Sequence, residues 1–345
     1  MPIADPATYR RLLAAAADGG YALPSINVTS SSAINGVLRG LTEAGADGII
    51  GVGLGGARFA AGGPDRSTAA GAAALAAFVH TVADQYPITV ALHTDHCPPD
   101  RVDEFLLPLV AESRRRVADG RAPLFGSHMF DGSHLPLAGN LERSAELLAT
   151  LAELGILLEL EIGLVGGVED EIDNTSASAD RLYTTPGEMV AVADALGAGR
   201  DGGYLLAASF GNVHGYQPPD QPAVELDLSV LDRGQRAIEA RFGAAGRIPL
   251  VFHGGSGCSP AEFRTAIAHG VVKVNVDTDT QLAYTRAAMG ALETDRLAIL
   301  AVDGPPVAKS TFELTRWMGA GESAMVAVVA EVCTTLGGAG RSLSA

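Results

Sequence analysis

The stretch "IPLVFHGGSGCSPAEFRTAIAHGVVKVNV" (248–276) passes from an apolar run through a glycine-rich turn into a helical pattern, and then into a second apolar run. The two runs, "IPLVFH" (248–253) and "VVKVNV" (271–276), are short and rich in β-branched residues. The segment between them, "SPAEFRTAIAHG" (259–270), has the spacing of an amphipathic helix. Strands that are apolar on both faces and are joined by such a helix indicate a βαβ unit of a parallel sheet.

This unit recurs along the chain, because six further apolar runs end in polar residues and alternate with helical stretches such as 30–45, 101–120 and 140–155. The six runs are "YALPSIN" (21–27), "DGIIGVG" (47–53), "ITVALH" (88–93), "APLFGSH" (122–128), "ILLELEI" (156–162) and "YLLAASF" (204–210). Eight strands favour a (β/α)8 TIM barrel over a doubly wound open sheet, which usually has fewer. We predict one α/β barrel domain over residues 1–336 and a flexible tail over 337–345.

Two segments interrupt this pattern. Residues 51–78 are rich in Gly and Ala and are predicted to form a glycine-rich loop that enters a helix. Residues 163–180, "GLVGGVEDEIDNTSASAD", are polar and too long for an ordinary connection. Segments of that length are usually lids or disordered.

Composition restricts the partners and the compartment. The chain has 24 Lys and Arg against 40 Asp and Glu, a formal charge of -16, so nucleic acid and anionic membranes are repelled. No stretch reaches 18 uninterrupted apolar residues, so we predict no membrane span. Cys97, Cys258 and Cys333 form no C-x-x-C pair, which is typical of a protein in a reducing cytoplasm.

Polar residues collect where the predicted strands end. In a barrel, the reacting groups lie at the carboxyl ends of the strands, where the βα loops converge. The residues at these ends are Asn27, Asp95, His96, Ser127, His128, Glu161, His214, His253, Asn275 and Asp277. The sequence therefore predicts a ligand site at this end of the barrel.

His96, His214 and His253 come from three strand ends and suggest a metal centre. Three imidazoles plus an open position describe a catalytic zinc site, whereas structural zinc prefers four closed ligands. A single histidine is more often a hydrogen-bonded core or surface residue. All three of these histidines, however, lie in short polar or glycine-containing segments at predicted strand ends: "HTDHC", "NVHG" and "HGGSG". His93 and His128 fit a supporting role better than a ligand role.

Two successive loops suggest a phosphate site. "HGGSG" (253–257) combines glycine amides, the Ser256 hydroxyl and a following helix N-terminus, so it can cradle a phosphate without basic side chains. Asn275, Asp277 and Thr278 follow the next strand and can complete the cradle. The alternative is that these residues serve turn geometry alone.

Several motifs together resemble the class II, zinc-dependent fructose-bisphosphate aldolases. They are "LHTDHC" (92–97), "PLFGSHMFDGS" (123–133), "LEIGLVGGVED" (160–170), "LLAASFGNVHG" (205–215), "FHGGSG" (252–257) and "GVVKVNVDTDTQ" (270–281). The resemblance implies that His96, His214 and His253 hold a zinc ion that polarises the ketone of dihydroxyacetone phosphate and stabilises the enediolate. It also implies reversible cleavage of fructose 1,6-bisphosphate to that ketone and glyceraldehyde 3-phosphate.

The same resemblance implies further roles. Glu169 would remove and return the carbon-bound proton, and Asp95 would exchange a proton with the C4 oxygen. Asp131 and Glu161 match positions that take an alternative second metal, and Asn27 would reach the intermediate. The ketose 1-phosphate would be held, with a monovalent cation, by Gly215, Gly254, Ser256, Asn275, Asp277 and Thr278. The family forms homodimers or larger assemblies.

The sequence departs from the family pattern on the aldehyde side. Gly53 stands where a serine is usual, and Thr315 in "FELTRW" (312–317) aligns with the arginine that grips the second phosphate. Arg316 or Arg58 would have to replace that contact. Gln217 and Val168 also replace a usual lysine and a usual glutamate. Two hypotheses follow: a fructose-bisphosphate aldolase with a repositioned arginine, or a paralogue that takes a different aldehyde, including an unphosphorylated one.

Two other function classes are consistent with histidines at barrel strand ends. A zinc hydrolase would use the metal to activate water. A non-catalytic sugar-phosphate binder would keep the phosphate loops but would need neither Asp95 nor Glu169. The presence of both proton-transfer residues favours the aldolase.

Overall fold

The eight predicted strands close into a parallel barrel, which confirms the (β/α)8 fold. The computed structural model describes residues 2–63, 65–169, 172–174, 178, 181–215, 226–300 and 307–344, with the backbone alone at 168, 169, 172, 173 and 214. In spatial order the barrel is β1-β11-β10-β8-β5-β4-β3-β2. The barrel strands are β1 Leu23–Asn27, β2 Gly48–Val52, β3 Val90–Cys97, β4 Ser127–Phe130, β5 Leu157–Ile162, β8 Tyr204–Ala208, β10 Leu250–Phe252 and β11 Val271–Asn275.

Helices surround the barrel, and the first one closes its floor. The helices are α1 Pro6–Gly19, α2 Ser31–Ala44, α3 Leu54–Ala60, α4 Thr68–Val82, α5 Leu107–Ala118, α6 Leu137–Ala152, α7 Pro186–Leu196, α8 Ser229–Phe242, α9 Pro260–Ala268, α10 Thr278–Thr294, α11 Arg296–Leu300 and α12 Leu314–Thr335. Asp5 caps α1, since its carboxylate accepts from the Thr8 amide at 2.7 Å. Tyr9, Leu12 and Ala16 of α1 are buried against the lower strand residues.

The interior of the barrel changes from apolar to polar along the strands. Near the floor, the inward residues include Ile49, Ala91, Leu157 and Val251, which share one cluster with α1. Side chains that face the same way recur every two residues along a strand. The next inward positions are therefore Ser25 on β1, His93 on β3, Glu159 on β5 and His253 directly after β10. All four residues are buried. An apolar floor thus supports a buried polar layer near the mouth.

The glycine-rich segment 51–78 differs from its predicted loop-then-helix form. Its first half contains the short helix α3, followed by α4. Gly71 of α4 lies against α3, because a Cβ there would come within 1.9 Å of the Ala57 carbonyl oxygen. Gly56 similarly fits against the Val28 carbonyl oxygen. These glycines permit close helix packing, so they serve packing as well as turn formation.

A small second sheet lies over the mouth. It consists of β6 Gly166–Glu169, β7 Ile172–Asp173 and β9 Val213–His214, in the order β7-β6-β9. The predicted lid, 163–180, therefore contains two short strands, while its residues 170, 171, 175–177, 179 and 180 lie outside the described part of the chain. Whether the segment moves as a lid stays a prediction.

The C-terminal segment contacts the barrel floor. Asp47 accepts hydrogen bonds from the Ser342 hydroxyl and the Leu343 amide, both at 2.6 Å. Thr89 also bonds Ser344 across this end. The flexibility of 337–345 in solution stays a prediction. Among the described helices, none combines the length and apolar character that crossing a membrane requires.

His128 on β4 provides a test of the buried barrel wall. It is fully buried and bonds Thr94 Oγ1 through Nδ1 at 2.7 Å. Burial, with a smaller effect of His93, lowers the pKa of His128 from 6.5 to about 3. The unfolded chain therefore takes up this proton well before the folded protein does, so stability falls as the pH falls below the unfolded value.

We expect replacing His128 by Gln to remove this part of the acid sensitivity. Between about pH 7 and pH 5.5, the wild-type free energy of unfolding should fall by about 1 kcal/mol more than that of His128→Gln. Urea unfolding at both pH values measures the difference. Equal losses in the two proteins would contradict a neutral, buried His128.

Candidate metal centre at the barrel mouth

His96 and His253 meet at the mouth of the barrel. His96 lies near the end of β3 and His253 directly follows β10, and both are buried. Their ring centroids are 4.8 Å apart. With Asp95 they form a group whose potential ligand atoms all lie within 4.8 Å of one another. Two of the three predicted zinc ligands are therefore brought together by strands far apart in the sequence.

Each of these imidazoles is oriented by a carboxylate. His96 Nδ1 lies 2.9 Å from Asp131 Oδ2, and His253 Nδ1 lies 2.7 Å from Glu161 Oε2. Asp131 is itself held by the amide and hydroxyl of Ser133. Carboxylates that accept from a histidine in this way fix the ring orientation and increase its basicity toward a metal. Their predicted use as ligands of a second metal stays a prediction.

The backbone at His96 is strained. Its φ of 36° is the one positive φ at a non-glycine residue within the described ranges. Such a conformation costs about 1–3 kcal/mol and persists only where the surroundings impose it. Here β3 irregularly shifts register against β4 between Thr94 and Cys97. The strain therefore accompanies the placement of Asp95 and His96, adjacent in sequence, in one cluster.

Asp95 is surrounded by hydrogen-bond donors. Its Oδ2 accepts from Asn27 Nδ2 at 2.8 Å, and Asn275 Nδ2 lies 3.1 and 3.2 Å from its two oxygens. His93 Nε2 is 3.3 Å from Oδ1. Burial alone would raise the pKa of Asp95, but His96 and the other neighbouring donors and charges hold it well below its ordinary value. The carboxylate is therefore ionised and fixed in place.

Two charged residues below this cluster, Glu159 and Lys273, were not predicted from the sequence. Glu159 on β5 accepts from Lys273 Nζ at 2.8 Å and from His253 Nε2 at 2.9 Å. Burial would raise the pKa of Glu159, but Lys273 and the histidines lower it to about 2. The two glutamate contacts in turn raise the pKa of His253 to about 9 against its burial. The sequence feature that indicates this pair is a charged residue inside an otherwise apolar run: Glu159 in "LLELEI" and Lys273 in "VVKVNV".

The other two predicted reacting residues lie on the small sheet. His214 lies on β9, where it pairs with Gly167 of β6, and Glu169 lies two residues beyond Gly167 on β6. The backbone therefore brings these two positions onto neighbouring strands. The side chains of His214 and Glu169 lie outside the described part of the structure, so their predicted roles stay predictions.

The predicted phosphate loops are neighbours at the mouth. Gly254 has a φ of 66°, and a Cβ there would come within 2.5 Å of the Val213 carbonyl oxygen, so glycine is required. Ser256 Oγ accepts from the Asp279 amide at 3.3 Å, which links this loop to the start of α10. Asp277 caps α10 by position and accepts from Gln281 Nε2 at 2.7 Å. Gly215 also has a positive φ of 92°, and Thr278 begins α10.

The residues predicted to contact the second phosphate lie on helices α12 and α3. Arg316 on α12 forms a salt bridge with Asp295. Arg58 lies half-buried on α3, and Gly53, at the N-terminal cap of that helix, offers no side-chain hydroxyl. Gln217 is outside the described residues. Contact of either arginine with a second phosphate stays a prediction.

The donor set fits a divalent cation. Nitrogen ligands from His96 and His253, with an adjacent carboxylate, match the preferences of zinc and similar first-row metals. Asp131 and Glu161 supply the outer hydrogen bonds that such histidine ligands usually have. A (β/α)8 barrel with this group at its C-terminal mouth has the arrangement typical of a metal-dependent barrel enzyme.

Comparisons with known proteins then identify the family. The family model described as fructose-bisphosphate aldolase class-II matches residues 7–341. The fructose-bisphosphate aldolase of Mycobacterium leprae is 47% identical, with 100% of each chain covered, and that of Streptomyces galbus is 45% identical, with 99% of this chain and 100% of the other covered. A crystal structure of fructose-bisphosphate aldolase from Campylobacter jejuni matches with a TM-score of 0.84 and 31% identity, covering 98% and 97% of the two chains. The chain belongs to the class II fructose-bisphosphate aldolases, which are lyases.

We expect Asp131→Asn and Glu161→Gln each to weaken zinc binding about 10- to 100-fold, because each leaves one imidazole without its orienting carboxylate. Competition against a fluorescent chelator measures the affinity. Glu142→Gln, at an exposed position on α6, is the matched control and should bind zinc as the wild type does. Unchanged affinity in both carboxylate variants would contradict the orienting role.

Proposed function

We propose that the chain catalyses the reversible aldol cleavage of fructose 1,6-bisphosphate to dihydroxyacetone phosphate and glyceraldehyde 3-phosphate. The observation that supports this most directly is the buried group of Asp95, His96 and His253, in which a carboxylate adjoins two potential metal ligands. Family membership and the names of its relatives agree with this substrate.

Zinc is the metal that we propose, held by His96, His253 and His214. When bound, it supplies a Lewis acid that polarises the substrate ketone. Glu161 and Asp131 hold the Nδ1 atoms of two of these ligands, so their rings keep one orientation through the reaction. Because Glu161 holds Nδ1 of His253, zinc would bind Nε2 and replace the contact of that atom with Glu159.

Asp95 is the proposed proton carrier for the C4 oxygen. In cleavage it would accept the hydroxyl proton as the C3–C4 bond breaks, and in condensation it would return that proton. The donors from Asn27 and Asn275 favour its ionised form, which is the form that accepts a proton. Glu169, on β6 above the mouth, is the proposed base for the carbon-bound proton of dihydroxyacetone phosphate.

The ketose 1-phosphate would bind the two loops that follow β10 and β11. Glycine amides and the Ser256 hydroxyl provide neutral donors there, and Gly215, Gly254, Asn275, Asp277 and Thr278 complete the proposed site. A protein with a formal charge of -16 needs such local donors for an anionic substrate. A monovalent cation near this phosphate belongs to the same proposal.

We expect zinc-loaded enzyme to release triose phosphate from fructose 1,6-bisphosphate, measured by coupling to a reductase. Asp95→Asn and Glu169→Gln should each lower kcat about 10²- to 10⁴-fold, because each removes a proton-transfer group. A chelator should abolish turnover, and added zinc should restore it. Release of inorganic phosphate without triose phosphate would indicate the hydrolase, and tight binding without turnover would indicate the binder.

A second candidate is a paralogue that joins dihydroxyacetone phosphate to a different aldehyde. The observation that favours it is the salt bridge of Arg316 with Asp295, together with Gly53 in place of a hydroxyl donor. Loss of a charge-assisted phosphate contact removes about 1.5–3 kcal/mol, or roughly ten- to a hundredfold in specificity.

A panel of phosphorylated and unphosphorylated aldehydes, each offered with dihydroxyacetone phosphate, separates the two candidates. The glycolytic enzyme should require glyceraldehyde 3-phosphate, with kcat/KM at least about tenfold above its unphosphorylated analogue. Equal or higher values for unphosphorylated aldehydes would favour the paralogue.

The proposed assembly is a homodimer or a larger homo-oligomer. Five large apolar side chains are exposed in the part of the sequence that runs from α10 to the start of α12: Met289, Leu297, Leu300, Phe312 and Leu314. Large apolar side chains exposed within one stretch are typical of a protein interface, and a second copy of the chain fits the family resemblance. A monomer in sedimentation at micromolar concentration would contradict this assignment. The cytoplasmic location, inferred from cysteine usage, stays a prediction.

A further inference from the structure

Lys273 is a buried charge that the proposed chemistry does not use. It lies on β11 in the barrel interior and is 0% exposed. Its Nζ lies 2.8 Å from Glu159 Oε1, 2.7 Å from Asn275 Oδ1 and 3.4 Å from His93 Nε2. Because an ammonium group donates and never accepts, Glu159 Oε1 and the Asn275 atom that faces it must both act as acceptors.

This rule fixes the orientation of the Asn275 side chain. The two ends of an amide look alike, and their assignment depends on the hydrogen bonds that they make. Lys273 requires the oxygen of Asn275 to face Nζ, so the NH2 group must face the opposite way. That NH2 group is the one that reaches both oxygens of Asp95. A flipped amide would place two donors against Lys273 and an oxygen against the carboxylate.

Asp95 therefore depends on Lys273 through one intermediate residue. Within the described part of the chain, Lys273 forms no hydrogen bond or salt bridge with Asp95, although its charge contributes to lowering the pKa of Asp95. Its complete burial keeps Nζ from a ligand in solution. We propose that Lys273 is a positioning residue that acts through Asn275 to hold Asp95 for its proton exchange with the C4 oxygen. This inference rests on the proposed aldolase function.

The two half-reactions separate this role from a purely structural one. Exchange of the carbon-bound proton of dihydroxyacetone phosphate with solvent needs the metal and Glu169 in the proposed mechanism. Cleavage of fructose 1,6-bisphosphate needs Asp95 as well. A variant that only disturbs Asp95 should therefore lose cleavage and keep exchange, whereas a misfolded or metal-free variant should lose both.

The experiment compares zinc-loaded wild type, Lys273→Met, Asn275→Ala and the double variant. Lys273→Met should lower kcat for cleavage about 10- to 100-fold, since small misplacements of a reacting group have effects of this size. Its proton-exchange rate at saturating dihydroxyacetone phosphate should stay within about threefold of wild type, while KM reports separately on the proposed phosphate contact of Asn275. If the lysine acts through Asn275, the double variant should be no more than about threefold slower than Asn275→Ala.

Ser25→Ala is the matched control. Ser25 lies in the same buried layer, its strand pairs with β11 at Asn275, and its Oγ has no hydrogen-bond partner within the described part of the chain. The kcat of this variant for cleavage should stay within about twofold of the wild-type value. Lys273→Gln, which keeps an N–H donor without the charge, should recover part of the rate lost in Lys273→Met.

A second pair of variants addresses folding, because Lys273→Met leaves Glu159 buried without its cation. Lys273→Met/Glu159→Gln removes both charges, and Glu159→Gln alone is its reference. Against that reference, the double variant should again lose cleavage and keep proton exchange. Parallel loss of both reactions, or multiplicative effects of Lys273 and Asn275, would overturn the inference. Wild-type protein with neither reaction would instead contradict the proposed function.

Discussion

The salt bridge between Lys273 and Glu159 crosses the interior of the barrel, and the polar layer near the mouth depends on it. β11 and β5 are separated by β10 and β8, so the two charges meet only because the sheet closes. An ionised carboxylate at this depth requires a partner of opposite charge, since burial alone would neutralise it. Glu159 in turn contacts His253, so charge balance in the core connects directly to the metal centre.

The packing of α1 against the floor of the barrel also explains why the reactive groups lie above an apolar layer. α1 fills the floor with Tyr9 and Leu12, which excludes water from one end of the barrel. The buried carboxylates therefore sit in a medium of low polarity, where each hydrogen bond has a larger effect than at the surface. Asp95, Asp131 and Glu159 all keep lowered pKa values there, because donors or cations compensate for burial. These lowered pKa values favour the ionised form of all three carboxylates.

Much of this architecture could be predicted from the sequence. Buried parallel strands leave short apolar runs that end in polar residues, and each of the eight runs overlaps a barrel strand, although the run 122–128 overlaps β4 only at its last two residues. His96 and His253 could be paired because both lie at the carboxyl ends of strands, which converge at the mouth of the barrel. The α3 helix was missed because its glycines suggest a loop, whereas they allow α3 and α4 to approach closely. The Lys273–Glu159 pair was missed because strand order around the barrel decides it, and that order is not visible in local patterns.

The strained backbone of His96 shows how local conformation and chemistry are coupled. A regular strand would point adjacent residues to opposite faces, so Asp95 and His96 could not both reach the centre. The positive φ at His96 and the shifted register against β4 break that alternation at one point. The hydrogen bond to Asp131 and the close ring of His253 then hold His96 in place. The free energy stored there is the local cost of placing a proton carrier and a metal ligand on consecutive residues.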